Sequence, residues 1–465
     1  MQCFSPQACS ENAWQFDIEI HTKIGDMMQH SDMMQHKLKH KTHPCVWLSL
    51  VAVIATSQAQ AATWSTSADL RERYQSFDNY NFNSAVNNNH WEFDSRLYLK
   101  MKGDFGHGLT LLFQPQAVII KNHTTSGAQN LTQADLLQAY LQYDAGAFKV
   151  RLGRQQLVYG DQRLLGHLGW KDVARTFDGI KGMYTSGKAK LDLFAVHPAD
   201  IAAMTPNAAN PNGKSLVTWE DRRLIGVYGT YTVAKQSGID GYLINWQHNQ
   251  HAAVGKGRNI NTFGTRLFGK RHGFDATAEA VFQTGSWANN ISQRASAYAV
   301  KAGYSLDAWK TRLGIEYDYS PGDSKSDPAT HKDFVFPFHT NHMHYGEMDL
   351  FSWANMRDLR LSVKTTPWPA LTLIGNVHFL SLDKATGDWL NVVGTGALFP
   401  GAPTYTHTRA GNEIDLKLVY KVAAVQGLKL VGFYGIFTPG AAVTERNGGH
   451  ADRAQFAYLL ADYQF

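Results

Sequence analysis

The sequence predicts an all-β protein, a transmembrane antiparallel β-barrel of about 18 strands with short periplasmic turns and long extracellular loops. Two patterns carry this prediction: apolar and charged residues alternate along the chain, and the connections between predicted strands alternate in length. In addition, the sequence contains no run of about eighteen uncharged apolar residues, the length that a membrane-spanning helix requires.

The alternation has a period of two from Trp64 onward. In the second predicted strand, Leu97 and Leu99 alternate with Arg96 and Lys100. Because successive side chains of a strand point to opposite faces, one face is apolar and the other is charged. An apolar outer face and a charged inner face are typical of a barrel in a membrane. Read in this way, the chain has strands near residues 64–74, 91–102, 109–119, 135–143, 148–155, 177–184, 190–196, 224–232, 239–247, 261–269, 274–283, 295–304, 311–319, 358–365, 371–380, 411–420, 428–437 and 455–465.

The connections support the same fold class. Short ones, such as 103–108 and 366–370, follow even-numbered predicted strands, whereas long ones, such as 156–176 and 320–357, follow odd-numbered strands. Outer-membrane barrels have tight periplasmic turns and longer extracellular loops, so this regularity indicates which end of each strand faces the periplasm. A secreted β-sandwich or β-helix, the soluble alternative, has no reason to alternate in this way.

The N-terminus has the three parts of a secretory signal peptide in order. Basic Lys37, Lys39 and Lys41 precede the apolar run 46–55, and Ala59-Gln60-Ala61 forms a cleavage site. We therefore divide the chain into residues 1–61, an upstream extension plus signal peptide cleaved after Ala61, and residues 62–465, a single barrel domain. All three cysteines of the chain precede the cleavage site, which suits a protein that passes through an oxidising periplasm.

The densest polar segment is 151–179, RLGRQQLVYGDQRLLGHLGWKDVARTFDG, which joins two predicted strands. Such a segment is too polar to lie against lipid, so we expect it to fold inward and narrow the pore. Guanidinium groups bind carboxylates with two parallel hydrogen bonds, which favours a role for these arginines in solute contact. In the alternative interpretation they pair with Asp161, Asp172 and Asp178 and only hold the loop.

Together with the charged faces of the strands, this segment defines a predicted pore lining that is mixed in charge with a basic excess. Its basic members are Arg71, Arg73, Arg96, Lys100, Lys149, Arg151, Arg154, Arg163, Arg175, Arg266, Arg312, Arg360 and Lys364, and its acidic members are Asp161, Asp178, Glu413 and Asp415. Oriented positive charges in a narrow lumen lower the free energy of admitting carboxylates. The lining therefore predicts a passive channel for anionic or polar solutes.

Several segments resemble the alginate export family of outer-membrane barrels. The most specific is the run from Gly153 to Gly179, GRQ-x-L-x-YGDQRLLG-x-x-x-W-x-x-x-x-R-x-FDG, and further matches are 71–74 (RERY), 345–350 (YGEMDL), 411–416 (GNEIDL) and 437–440 (FTPG). The resemblance spans essentially the mature chain. It implies a monomeric barrel of eighteen strands with an arginine-lined pore that conducts an anionic uronate polymer outward. The solute stays open, with uptake of small organic acids or other small solutes as the alternative.

Other clusters of polar residues are weaker evidence for a functional site. His339, His342, His344 and Glu347 have a spacing that could bind a transition metal, but a flexible, histidine-bearing outer loop explains them better. Asp323 and Asp327 are explained by turn chemistry as well as by calcium. The sequence has no phosphate-binding loop, nucleophile elbow or nucleic-acid motif, so we expect no cofactor, no metal and no nucleic-acid partner.

The sequence argues against two other classes of function. An outer-membrane enzyme, such as a lipid-acting hydrolase, would use a smaller, closed barrel, whereas about eighteen strands leave an open bore. An energised transporter would need a folded N-terminal plug, yet the first predicted strand begins soon after Ala61. The expected location is the outer membrane of a Gram-negative bacterium. The expected partners are outer-membrane lipid, an anionic polysaccharide or small anionic solute, and periplasmic export proteins, with the barrel itself a monomer.

Overall fold

Eighteen strands form one closed antiparallel barrel, which confirms the predicted fold class. The computed structural model describes residues 62–465 except for 87, 125–126, 200–221, 249–256, 289–290, 325, 337, 393 and 395. The predicted signal peptide and the three cysteines lie outside the described residues. No helix in the described part of the chain is both long and apolar enough to cross a bilayer.

The barrel strands are numbered in chain order. They are β1 (Thr63–Asp78), β2 (His90–Asp104), β3 (Leu109–Thr124), β4 (Gly127–Ala145), β5 (Phe148–Gln155), β6 (Phe177–Ser186), β7 (Ala189–Pro198), β8 (Arg222–Ala234), β9 (Ser237–His248), β10 (Arg258–Arg271), β11 (Phe274–Ala288), β12 (Ile291–Ser305), β13 (Arg312–Ser320), β14 (Met356–Trp368), β15 (Leu371–Ser381), β16 (Arg409–Lys421), β17 (Leu428–Pro439) and β18 (Ala454–Gln464). Each strand pairs with its neighbours in sequence, so the barrel is a simple up-and-down meander.

The barrel closes where β18 pairs with β1. Leu70 lies opposite Tyr463 in this pair, and Arg73 lies opposite Leu460. Beyond the last ladder pair, the N–H of Phe465 donates to the carbonyl of Ala68 at 3.0 Å. Closure leaves no sheet edge with unpaired backbone groups, which is the condition for strands to cross hydrocarbon.

The connections alternate in length as the sequence predicts. The turns after even-numbered strands are short, for example 146–147 and 369–370, and the loops after odd-numbered strands include the long segments 156–176, 321–355 and 382–408. Several strands run further toward the loops than predicted, with β4 spanning Gly127–Ala145 instead of 135–143. The hydrogen-bonded ladder continues there beyond the segment in which apolar and polar residues alternate, so the pattern underestimates strand length.

The outer face of the barrel is apolar. Leu99, Val150, Ile180, Leu243 and Ile315 are between 44 and 50% exposed and point away from the lumen. Exposed aromatic residues lie near both ends of the strands, with Trp64, Phe148, Phe274 and Trp368 near the short turns and Trp91, Phe93, Phe379 and Tyr434 nearer the long loops. These two groups correspond to the aromatic girdles that mark the membrane interfaces.

Three long loops enter the lumen and are called loop A (156–176), loop B (321–355) and loop C (382–408). An apolar core joins them to the wall formed by β6 to β12 and by β14 to β18, and within it Phe338 of loop B contacts Phe177 and Trp246 edge-on. Loop B includes the 3-10 helix Asn341–Met343 and the short strand Thr330–His331, which pairs with β12. Loop C has a small hairpin of Trp389–Leu390 and Ala397–Phe399. Another 3-10 helix, Ala308–Lys310, lies in the turn after β12, and the α-helix Ala441–Arg446 lies in the last outer loop.

Candidate functional site in the barrel lumen

The tip of loop A is held against the wall by arginines of β1 and β2. Arg71 and Arg73 donate to the carbonyl oxygen of Trp170 at 3.0 and 2.9 Å, and Arg96 donates to that of Gly169 at 3.0 Å. Both Arg71 and Arg73 also bind the Asp172 carboxylate, with Arg73 Nη2 at 2.9 Å from Oδ1. Three residues of the predicted pore lining therefore fix the loop and have little free surface.

A wall carboxylate completes this cluster. Asp94 of β2 is fully buried and lies 2.7 Å from Arg73 Nε and 3.3 Å from Arg71 Nη2. Among the described residues, Glu92, Asp94 and Asp172 are the only group of three acids or histidines close enough to share a metal ion. Because two guanidinium groups already neutralise Asp94 and Asp172, we infer no metal site here.

The base of loop A is tied to the opposite wall. Arg163 binds Glu316 and lies 3.0 Å from an oxygen of Asp318, and both of these acids belong to β13. Asp161 lies 2.6 Å from Arg266 of β10 and also contacts Lys301 of β12. Predicted lining residues again bind each other across the lumen. Arg163 thus pairs with acids of the wall, whereas the alternative interpretation of the sequence named Asp161, Asp172 and Asp178 as the partners of the loop arginines.

Loop B is fastened to β14 and β16. Arg360 binds Glu316 and donates to the carbonyl of Met343 at 3.0 Å. The backbone N–H of Met348 donates to Glu413 at 2.9 Å, and that of Glu347 donates to Asp415 at 3.3 Å. The predicted lining acids Glu413 and Asp415 thus accept hydrogen bonds from the backbone of loop B.

Gly346 permits the close approach of loop B to Glu413. Its φ is 92°, and a Cβ atom at this position would lie 2.4 Å from a carboxylate oxygen of Glu413. Only glycine combines that backbone conformation with the space available.

A row of side chains inside the lumen runs from β1 past β18 and β17 to β16, and we call it the central stack: Arg73, Trp170, His342, Glu347 and Lys417. The Arg73 guanidinium lies 4.2 Å from the centre of the Trp170 ring, and the His342 ring lies parallel to it at 4.0 Å. Two groups so close to one ring centre occupy its opposite faces. Beyond His342, Glu347 lies 3.4 Å from Nε2 and binds Lys417 of β16.

His342 is buried between two carboxylates of its own loop. Its Nε2 lies 3.4 Å from Glu347 and its Nδ1 lies 3.3 Å from Asp349, distances of ion pairs whose angles do not make hydrogen bonds. Burial alone would lower the pKa of His342, but Asp349 and Glu347 outweigh burial and raise it. Burial likewise favours neutral Glu347, but His342 and Lys417 hold its pKa at about 2. The part of the central stack from His342 through Glu347 to Lys417 is therefore held by ion pairs.

Two cavities lie on either side of the central stack. The inner cavity, of about 280 Å³, lies toward the short turns. It is lined by four lysine or arginine side chains, Arg312, Arg360, Lys364 and Lys417, by His342 and His378, and, among the described residues, by the carboxylates of Glu347 and Asp415. The outer cavity, of about 310 Å³, lies toward the long loops and has the cations Arg73 and Lys171 with the acids Glu92, Asp172, Glu347 and Asp349. Glu347 lines both cavities, so one layer of side chains separates a basic chamber from an acidic one.

The inner mouth of the barrel is basic. By strand register, its lumen-facing cations are Lys100, Lys102, Lys149, Arg151, Lys181, Lys190, Lys270, Arg312, Lys364, Lys421 and Lys429, and its lumen-facing acids are Asp69, Asp104, Asp144, Asp192, Asp275 and Asp462. Lys149 pairs with Asp144 and Arg312 with Asp275. Lys100, Lys190 and Lys364 are exposed and form no ion pair with any described residue.

Two further residues of the predicted lining, Arg151 and Arg175, contact neither the tip of loop A nor β13. Arg151 donates to Gln142 at 2.7 Å and lies 4.1 Å from the centre of the Tyr140 ring, facing the lumen. Arg175 is half-buried and donates to the carbonyl oxygen of His339 at 2.7 Å and to that of Gly166 at 3.3 Å, so it joins loops A and B.

The structure corrects the placement of Arg154 and Asp178. They lie opposite each other in the ladder of β5 and β6, on the face that carries Leu152 and Ile180, which is the outer face of the barrel. Arg154 Nε lies 2.8 Å from Asp178. The sequence prediction placed both residues in the pore although the predicted strands near 148–155 and 177–184 include them. In those strands, Arg154 and Asp178 fall on the same face as Leu152 and Ile180.

The histidines of loop B are packed and not exposed. Nε2 of His339 lies 2.9 Å from the carbonyl oxygen of Val392 in loop C, and Nε2 of His344 lies 2.8 Å from that of Asp161. Burial lowers the pKa of both to about 4, with Arg175 and Arg163, respectively, adding to the effect. Each histidine contacts a different group, and all three are buried inside the barrel, whereas the sequence favoured a flexible outer loop.

Sequence reasoning did not single out Trp170, Lys417 or Tyr458 as site residues. Tyr458 of β18 donates to Glu347 at 3.1 Å and lies 4.8 Å from the Trp170 ring. Lys417 and Tyr458 fall on the lumen face by period-two alternation. That signal places them in the lumen, but nothing in it indicates that a loop glutamate reaches them.

An apolar outer belt, a charged lumen and loops folded into the bore define the protein as an outer-membrane channel for solute transport in a Gram-negative bacterium. The profile of the alginate export family matches residues 63–457, so the chain belongs to that family. This confirms the resemblance carried by the central run. The comparison with curated proteins finds no match.

Solved structures similar to this chain include barrels from Pseudomonas aeruginosa. OccK5 (OpdH) is 11% identical, with a TM-score of 0.57 over 86% of this chain and 98% of that one. OccK7 (OpdD) is 12% identical, with a TM-score of 0.55 over 86% and 98%. The outer membrane protein OprD is 13% identical, with a TM-score of 0.56 over 88% and 95%. At such identities the likeness shows a common fold.

Proposed function

We propose that the protein is a passive channel for anionic solutes, and that a polyuronate such as alginate, moving outward, is its cargo. One observation carries the proposal. The arginines at the centre of the lumen are neutralised by loop and wall acids, whereas the inner mouth and inner cavity keep unpaired lysines such as Lys100, Lys190 and Lys364. An anion arriving from the periplasm therefore meets free positive charge first.

Membership of the alginate export family supports a uronate as the cargo. Uptake of small organic acids is the second candidate, and the size of the inner cavity, about 280 Å³, favours it, since a single small acid fits such a volume. We further propose that the protein is a monomer, that periplasmic export proteins are partners, and that it has no lipid hydrolase activity. Incubation with phospholipid, followed by analysis of released fatty acids, checks the last point.

The reversal potential in a planar bilayer with a salt gradient tests the preference for anions. We expect the wild-type channel to prefer chloride over potassium. Replacing Lys100, Lys190 and Lys364 by glutamine lowers that preference about tenfold, because each lost charge removes ~0.5 kcal/mol of attraction in a water-filled mouth.

Arg154→Gln is the matched control for these substitutions. Arg154 lies on the outer face, paired with Asp178, so its replacement leaves the reversal potential unchanged. A cation preference of the wild-type channel, or equal selectivity of the triple variant and the wild type, contradicts the proposal.

A further inference from the structure

The central stack contains a carboxylate that lies in the inner cavity. Glu347 of loop B reaches into the inner cavity and binds Lys417, one of the four cations that line that cavity. Arg360 and Lys364 line the same cavity, and Lys364 is exposed. A carboxylate solute that enters this cavity meets the cation that Glu347 already holds.

The same glutamate belongs to the layer of side chains between the two cavities. Glu347 lies 3.4 Å from His342, and His342 stacks on Trp170 at 4.0 Å. The Arg73 guanidinium stacks on the other face of Trp170, 4.2 Å from the centre of the ring. Since Glu347 lines both cavities, the layer between them is only as thick as this row of side chains.

The remaining contacts of Glu347 are few. Tyr458 donates to it at 3.1 Å, and its backbone N–H donates to Asp415 at 3.3 Å. Nothing but side chains therefore joins the Glu347 carboxylate to the wall, and a competing carboxylate at Lys417 removes one of its two cationic partners. His342 is the other partner, and it keeps Asp349 at 3.3 Å when Glu347 leaves.

We propose that Glu347 is an internal competitor of the solute: a carboxylate bound in the inner cavity takes Lys417 from Glu347, and release of Glu347 loosens the stacking of His342 on Trp170 and opens the path to the outer cavity. The inference rests on the proposed function, because it requires that carboxylates enter from the inner mouth. It adds to that function a channel that opens in response to its own solute.

Single-channel recording tests this mechanism. In the wild type, D-glucuronate added to the inner side raises the open probability at least about threefold over chloride alone, whereas D-glucose does not. Glu347→Gln opens without glucuronate, because neutral glutamine holds neither Lys417 nor protonated His342 firmly. Glucuronate has no further effect on the open probability of this variant.

The control variant is Glu445→Gln. Glu445 is in the last outer loop, where it binds Thr406 and His407 and lines neither cavity. We expect the Glu445→Gln channel to keep the closed state and the glucuronate response of the wild type. Folding of each variant is checked by the mobility shift on heating that closed barrels show in gel electrophoresis. If Glu347→Gln does not fold, Trp170→Ala replaces it, and we expect the same open state.

The results separate this inference from the proposed function. If the folded Glu347→Gln or Trp170→Ala channel stays as closed as the wild type, or if glucuronate opens Glu347→Gln as it opens the wild type, the competitor mechanism is wrong. The proposed anion preference is tested separately, by the reversal potential measured in the same recordings, and a failure of the competitor mechanism does not change that result.

Discussion

The arginines of the lumen bind the protein itself before they bind any solute. Arg71 and Arg73 form ion pairs with Asp172 at the tip of loop A, and Arg163 forms one with Asp318 of β13. Removing one member of a buried ion pair typically costs about 3–5 kcal/mol, because a charge is left without a partner. Mutation of such an arginine therefore changes loop position as well as charge, which is why exposed lysines are the better probes of selectivity.

His342 gives the channel a dependence on pH. Its pKa is raised above the ordinary value, so the stability that its charge contributes is complete below that ordinary value and is lost as pH rises through the raised pKa. The charged groups that face it are Asp349 and Glu347, with the Trp170 ring stacked on it and Lys417 beyond Glu347. We therefore expect the open probability to rise as the pH is raised from neutral, as recorded in symmetric salt.

His342→Gln is the variant that checks this assignment. Glutamine carries no charge at any pH, so the channel is open more often at neutral pH and the pH dependence in this range flattens. A pH profile unchanged from that of the wild type assigns the titration to another group. His339 and His344 do not interfere, because their pKa values of about 4 keep them neutral throughout this range.

At the scale of elements, the position of loop B depends on Gly346. Gly346→Ala places a methyl group against the Glu413 carboxylate in a backbone conformation that alanine adopts poorly. We expect loop B to move away from β16, at a cost of roughly 1–3 kcal/mol, and the conductance in chloride to become larger and noisier. Single-channel recording measures the conductance.

Gly448→Ala provides the comparison for the previous variant. Gly448 also has a positive φ, of 61°, but no atom lies within 4 Å of the position of its Cβ. It lies in the last outer loop, so strain there leaves the conductance as it is. Equal conductance of Gly346→Ala and the wild type contradicts the role of Gly346 in seating loop B.

The strands were predictable and the loop packing was not, for a physical reason. Lipid on one side and water on the other impose a period of two, and this local pattern located all eighteen strands. Loop A joins Asp172 to Arg71 across about a hundred positions, and no local pattern encodes such a pairing. The apolar side chains of Phe334, Phe336 and Phe338 in loop B were the available signal for a packed loop.

At the scale of the whole molecule, stability depends on closure between β18 and β1. Leu459→Pro removes a ladder N–H and forces a bend in the closing strand, which costs about 3 kcal/mol or more. We expect this variant to lose the mobility shift on heating that marks a closed barrel. Leu459→Ala keeps the N–H and changes only an outward-facing side chain, so it keeps the shift. A closed barrel in the proline variant contradicts the dependence on closure.

The two cavities lie beside the seam at which the barrel closes. Their walls come from β13 to β16 and from β1, β2 and β18, so strands from both ends of the chain line them. Neither half of the polypeptide can shape the conduit alone. A chain still being inserted therefore offers no selective path, and whatever leaks through an unfinished cylinder does so without discrimination.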